Sequence, residues 1–406
     1  MQYERGTRRW FLRAASAVAG GAFLRASESA EAFEPAAKRR VTDMHDSNRC
    51  FAYVGSRTTR ERNARGDGIN VYQHDVESGC WTHLQLISGL ANPSYLAFDR
   101  TRQFLYAVHG DLSDISAFRI DHDTGKLAFI NSASTAGKNP VHLSIDPTNR
   151  FIVVANHISS TVVLLARNAD GSVGSLADQV TLTGQIGPHR IEQPFSKPHQ
   201  VELDPSQRFV IVPDKGLDQV FTFRIDAEAG KLSLLDAGTP KSREGSGPRH
   251  VAFHPSGAFA YVVGELDSTI TAYHFDQSTG KLTPFQVLTT LPDTFVGNSR
   301  ASEVACTRDG RFLYASNRGH DSIVGFSVDP GNGRLTPRSW TQSQGKTPRF
   351  FALDPAERFL LAANEDSDSI VPFRTDAQSG ALAPTGTAVH SGSPVCIVFA
   401  TLGSKA

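Results

Sequence analysis

The sequence lacks a net charge: Lys+Arg and Asp+Glu each total 41. A balanced chain sets up no long-range positive field, so neither nucleic acid nor an anionic membrane surface is expected as a partner. It also lacks a membrane span, because beyond its first residues nothing approaches the ~18 apolar residues that a crossing helix needs. Cysteine is scarce, with four in 406 residues (Cys50, Cys80, Cys306, Cys396). No two of them fall at partner positions in the repeat described below, so they are read as buried thiols rather than a disulfide framework. There is no Gly-x-Ser-x-Gly elbow, and no cysteine beside a candidate histidine, which removes the usual signals of a covalent nucleophile. What is plentiful is Gly (34) and Pro (21), against 39% apolar residues. That composition suits short strands separated by many turns.

The first 32 residues stand apart. TRRWFL (Thr7 to Leu12) places an arginine pair before the weakly apolar AASAVAGGAFL, and Ala30-Glu31-Ala32 supplies the small residues of a cleavage site. In that order they resemble a twin-arginine export signal. The expectation is a signal over 1–32, a linker over 33–48 and a mature protein in the periplasm or outside the cell. The export machinery would then be a transient partner.

From residue 49 to 406 the chain repeats with a period of about 50 residues. Units open at NPSYLAFD (Asn92), NPVHLSID (Asn139), KPHQVELD (Lys197), GPRHVAFH (Gly247), RASEVACT (Arg300), TPRFFALD (Thr347) and SPVCIVFA (Ser393). After each of the first six come a turn, an apolar strand such as FIVVAN, a third strand and an outer fourth strand. The seventh stops early, and its missing strands (RCFAYVGS, INVYQHD, WTHLQLI) stand at the other end of the chain. The spacing predicts an all-β, seven-bladed β-propeller whose last blade is closed by strands from both termini.

In such a fold the start of strand one and the end of strand two share a face. That gathers Tyr95, His142, His199, Arg249, His250, Glu303 and Arg349 from strand-one starts. His109, His157, Lys215, Glu265, Arg318 and Glu365 come from the strand-two ends. So many ionisable groups around one axis point to a binding or catalytic funnel. The insertion GSRTTRERNARGDG (Gly55 to Gly68) adds Arg57, Arg60, Arg62 and Arg65 on the same face. It reads as a mobile solvated loop, or alternatively as a flap that attracts an anion.

KPHQVELDP, GPRHVAFHP, Gly264-Glu265-Leu266 and DGRFLYASNRGHDSI, with the split last blade, resemble the propeller-type lactonases. That family includes 6-phosphogluconolactonase and the fungal carboxymuconate-lactonizing enzyme. The resemblance implies catalytic roles for His199, Arg249, Glu265 and Arg318, with Arg300 as an alternative to Arg318 because Ala301 stands where other units have proline. His142, His157, Arg300 and Arg349 are the expected substrate-binding residues. Lactone opening needs a base for water, which either Glu265 or His199 could supply, and a donor for the oxyanion, which suits Arg249. The expected partner is a small anionic lactone. Cyclisation of a carboxylated muconate and a non-catalytic binding propeller are the alternatives. A metal would have to use Asn156, Asn317, Asn364 and Glu265, but Lys215, Arg249 and Arg318 lie close by and would repel it, so no metal and no cofactor is expected.

Overall fold

The computed structural model describes residues 48–235 and 240–403. The proposed export signal and all of the linker except Asn48 lie outside the described residues. Among the described residues the strands form seven antiparallel sheets. Blades 1 to 6 span 93–134, 140–181, 202–234, 248–289, 300–342 and 348–390. Blade 7 takes its innermost strand from Pro394–Gly403 and its outer three from Asn48–Ser56, Gly68–His74 and Trp81–Ser88. The two chain ends pair from Asn48↔Gly403 to Gly55↔Cys396. This pairing covers two sheet edges that would otherwise be open.

Burial explains the strand sequences. The second strands Phe104–His109, Phe151–Asn156, Phe259–Gly264 and Phe359–Asn364 are buried at every position. Each lies inside its sheet and packs on both faces against neighbouring blades, so it reads as a continuous apolar run rather than an alternating one. Outermost strands such as Lys281–Thr289 keep mostly exposed or half-exposed residues.

The blades are joined by a contact repeated around the ring. The phenylalanine at the second strand of each blade packs on the turn glycine between strands three and four of the next. The pairs are Phe104 on Gly171, Phe151 on Gly230, Phe209 on Gly280, Phe259 on Gly333, Phe312 on Gly380, Phe359 on Gly79 and Phe51 on Gly125. All seven glycines have positive φ, from 63° to 87°, so the turn needs glycine for its backbone as well as for space. Tyr53, Tyr106, Tyr261 and Tyr314 reinforce four of these joints by donating to the carbonyls of Gly125, Gly171, Gly333 and Gly380 at 2.8–3.0 Å.

The cysteines are all free, and Cys50 and Cys396 are buried as expected. Cys80 is not: it ends the turn before Trp81–Ser88 and is exposed, while Cys306 is half-buried.

Gly380→Ala should expose the cost of these joints. Its Cβ would lie 2.4 Å from the Phe312 ring, whereas a Cβ at Gly89, also at positive φ, meets nothing within 4 Å. Urea denaturation should show a loss of about 2–4 kcal/mol for Gly380→Ala and about 1 kcal/mol for Gly89→Ala. Equal losses would mean that the phenylalanine contact contributes nothing.

Candidate active site

Two backbone devices aim side chains at one mouth. The first is a bulge just after the opening proline of a blade: the register shifts between Pro93 and Tyr95, Pro140 and His142, Pro248 and His250, and Pro348 and Phe350. The skipped residues, Ser94, Val141, Arg249 and Arg349, are re-aimed toward the funnel, a common use of bulges beside sites. The second is the end of strand two, where Ser56, His109, Asn156, Asp214, Gly264 and Asn364 pair opposite those prolines or their equivalents. The next residues, Arg57, Gly110, His157, Lys215, Glu265 and Glu365, donate their N–H to the residue before the proline at 2.8–3.0 Å. Arg318 holds the equivalent place in blade 5.

Together these positions surround a cavity of about 260 Å³ lined by six cationic side chains (Arg57, Arg62, Lys215, Arg300, Arg318, Arg349), by Glu192 and Glu265, and by His157 and His199. Larger cavities of about 480 and 390 Å³ lie elsewhere. They gather none of the predicted site residues, so size alone does not identify the site.

Glu265 is the hub. Its Oε1 lies 2.8 Å from Lys215 Nζ and 3.5 Å from Arg300 Nη1, and its Oε2 lies 3.1 Å from Arg249 Nε and 3.2 Å from Arg318 Nη2. Arg249 also donates to the Ser302 carbonyl at 2.6 Å, and Arg318 to that of Ala301 at 3.1 Å. Arg249 and Glu265 thus meet at one mouth, as the repeat register requires.

A family model described as "Lactonase, 7-bladed beta-propeller" matches residues 51–399. The chain belongs to this lactonase family. It is 34% identical over 310 residues to a 6-phosphogluconolactonase of Bacillus subtilis, covering 76% of this chain and 86% of that protein. A 6-phosphogluconolactonase of Formosa agariphila is 32% identical over 315 residues, with 75% and 86% covered. Among solved structures, a periplasmic gluconolactonase of Pseudomonas aeruginosa superposes with a TM-score of 0.81 at 30% identity, covering 87% of this chain and 99% of that one.

Of the residues singled out for this lactonase, His157, His199, Glu265, Arg300, Arg318 and Arg349 line the mouth cavity. Arg249 lines a smaller space beneath it. His142 lines neither. The bulge turns Val141 to the funnel and sends His142 one layer down the channel, where it stacks on Tyr95 with ring centroids 3.8 Å apart. His109 is likewise a structural residue, bonded to the Ala91 carbonyl and to Ser116; Gly110 holds its expected mouth position. Arg60, Arg62 and Arg65 are exposed, as a solvated insertion requires, but Arg57 is not. It is 3% exposed, and the adjoining loop is tied to Asn92 through the N–H groups of Thr58 and Thr59. Glu192 went unnoticed in the sequence. It comes from the long Leu182–Ser196 connection and bonds Lys215 at 2.8 Å and Arg300 at 2.7 Å. The only sequence signal was the length of that connection beside Thr135–Asn139 in the preceding blade.

Both candidate bases are held below their ordinary values, and geometry separates them: cations engage both oxygens of Glu265, whereas His199 keeps a ring nitrogen without a partner among the described residues. Burial alone would raise the Glu265 carboxyl, but Arg318, Lys215 and Arg249 outweigh it and hold the group well below its ordinary value. A carboxylate so stabilised accepts a proton poorly. Burial, and then Arg249, keep the His199 imidazole well below its usual range, and burial and Lys215 bring His157 down to about 3. Both rings are therefore neutral at physiological pH.

The set does not fit a metal, because cations engage both oxygens of Glu265, its one carboxylate. The Asn156 and Asn364 amide nitrogens donate to the Thr135 and Ser343 carbonyls, and that of Asn317 to Thr290. These bonds tie down loops, and Glu265 is enclosed by cations.

Glu265→Gln removes the shared counter-charge while keeping the shape, and unfolding stability should fall by about 3–5 kcal/mol, as when a buried ion pair is broken. In wild type the depressed carboxyl contributes stability that is complete above the ordinary glutamate value of 4.5 and is lost as pH falls toward the folded-state value. Urea midpoints measured across acidic pH should therefore converge for the two proteins. A variant as stable as wild type at neutral pH would show that the cluster does not depend on Glu265.

Proposed function

We propose that this protein is a hydrolase that opens a sugar lactone in the cationic funnel, with His199 as the base that activates water. The observation that carries this reading is a neutral, buried histidine with an unpartnered ring nitrogen beside a cluster of cations that take up both oxygens of Glu265. His199 Nδ1 is buried without a hydrogen-bond partner among the described residues. With the proton on Nδ1, Nε2 is left as the acceptor. Water bound there gives its proton to Nε2 as its oxygen bonds to the lactone carbonyl carbon. The tetrahedral oxyanion is stabilised by the guanidinium groups of Arg249 and Arg318, which Glu265 holds in place before substrate arrives. Collapse breaks the bond from the acyl carbon to the ring oxygen. The imidazolium returns its proton to that oxygen, releasing an open-chain hydroxy acid. Lys215, Arg300 and Arg349 stabilise the carboxylate that forms as the ring opens.

The kinetic signatures differ by role. His199→Gln should lower kcat by roughly 10²-fold or more with KM nearly unchanged. Arg249→Ala should cost about 2–4 kcal/mol in kcat/KM, much of it in kcat. Wild-type turnover of a gluconolactone by His199→Gln would remove the histidine from the mechanism.

The substrate is met outside the cytoplasm, on the strength of the arginine pair Arg8-Arg9, the apolar segment and the cleavage triplet. That placement favours an unphosphorylated sugar lactone over a phosphorylated cytoplasmic metabolite. Replacing Arg8 and Arg9 together by lysine should leave the precursor in the cytoplasm. Fractionation showing an unchanged periplasmic yield would refute export by this route.

A further inference from the structure

Beneath the mouth cavity is a second space of about 20 Å³, bounded by Arg57, Ser94, His199, Arg249, His250 and Arg349, with Tyr95 and three apolar side chains completing the wall and no carboxylate among them. Five of those residues turn a buried polar atom without a hydrogen-bond partner among the described residues: Arg57 Nη1, Ser94 Oγ, His199 Nδ1, Arg249 Nε and His250 Nε2. Two have partial charge compensation. Arg249 Nε is 3.1 Å from Glu265 Oε2, and Arg57 Nη1 is 3.5 Å from Asp111 Oδ2. Room for the Arg57 guanidinium depends on Gly110, where a Cβ would lie 2.4 Å from its Nη1 and 2.8 Å from Ser94 Oγ.

Guanidinium groups donate and never accept, and each histidine can present an N–H here, so the occupant must be an acceptor. Burial and the Arg349 charge bring Arg57 down to about 9, and burial, Arg318 and Arg349 do the same to Arg249. Cations buried this deeply, with further cations beside them, favour negative charge placed between them. The volume admits one atom of about the size of a water. A carboxylate or a phosphate is too large.

We propose that this floor is a binding site for a monatomic anion, a halide, which sits under the substrate and fixes the tautomer of His199. The halide accepts from His199 Nδ1–H, leaving Nε2 free to take the proton from water, the part that a buried carboxylate plays for histidine in other hydrolases. It also accepts from His250 Nε2–H. The His250 Nδ1 then faces Glu303 at 3.0 Å, whose carboxyl burial pushes up to about 8 and which can therefore donate to that nitrogen.

The tautomer role rests on the hydrolase reading; occupancy of the floor does not. Crystals of the wild-type protein grown with bromide should show an anomalous peak within hydrogen-bond distance of Arg57 and Ser94. In solution, Tm should rise with chloride or bromide relative to sulfate at matched ionic strength. Turnover of a gluconolactone should be about tenfold higher in halide than in sulfate. Arg57→Gln should abolish both halide effects, and Ser94→Ala, a milder change, should weaken them. A wild-type protein with no bromide at the floor and the same Tm in both salts overturns the site. Bromide bound at the floor with turnover indifferent to halide keeps the site but overturns its role through His199. If bromide binds while no lactone is opened in any salt, the hydrolase reading fails and the site stands.

Discussion

One buried carboxylate sets the chemistry of the funnel. Lys215, Arg249 and Arg318 come from blades 3, 4 and 5, and each is 13% exposed or less. Three cations stripped of water at such distances would repel one another and forfeit their hydration. Glu265 divides its two oxygens among them and Arg300, so their positions are fixed before any ligand enters. The arrangement bears on the division of labour as well: both oxygens of this carboxylate are occupied by cations, which in the proposed mechanism leaves proton transfer to His199. Glu192 plays a lesser part at the rim, where the Lys215 and Arg300 hydrogen bonds, against the opposing effect of burial, bring it down to about 2. Even with both carboxylates counted, the mouth keeps a surplus of positive charge. That surplus suits a reaction whose transition state and product are both more negative than its neutral water nucleophile.

The fold was legible because it is repeated. Seven openings, a period and complementary end fragments constrain one another, and the turn glycines between strands three and four have a physical cause in the phenylalanines that pack on them from the preceding blade. The meeting of Arg249 with Glu265 was legible for the same reason: antiparallel register brings strand-one starts and strand-two ends together, and Pro248 does pair with Gly264.

The errors came where register slips by one residue. A bulge after the opening proline puts neighbouring residues on different layers, so that Arg249 and His250, or Val141 and His142, do not belong to one ring. Nothing in a strand sequence marks such a bulge beforehand. At the end of strand two the opposite slip occurred. His109 is not a mouth residue, because it stands where blades 2, 5 and 6 have Asn156, Asn317 and Asn364, all of which tie down loops. Counting from the proline would have placed Gly110 at the mouth. The same count in blade 7, where Ser56 pairs with Pro394, assigns Arg57 to the ring rather than to the insertion. Glu192 was beyond such arithmetic, because its loop has no counterpart in the repeat.

A near-symmetric frame gives an asymmetric site because the two rings are populated unequally. After the proline, blades 1, 2 and 7 carry Ser94, Val141 and Val395, while blades 3, 4 and 6 carry His199, Arg249 and Arg349. After strand two, Lys215, Glu265 and Arg318 occupy three consecutive blades, and Gly110 contributes no side chain at all. The cations therefore come from blades 3 to 7, and the small and apolar positions of blades 1 and 2 leave space. Arg57 crosses that space from blade 7, over the gap left by Gly110, to face Arg349 and the Ser94 hydroxyl. A symmetric ring of cations would bind an anion on the axis and present every face of it equally. This one has no cation on blades 1 and 2 and sets His199 next to that gap, which allows a planar lactone carbonyl to be oriented with the water nucleophile and the oxyanion donors placed about it.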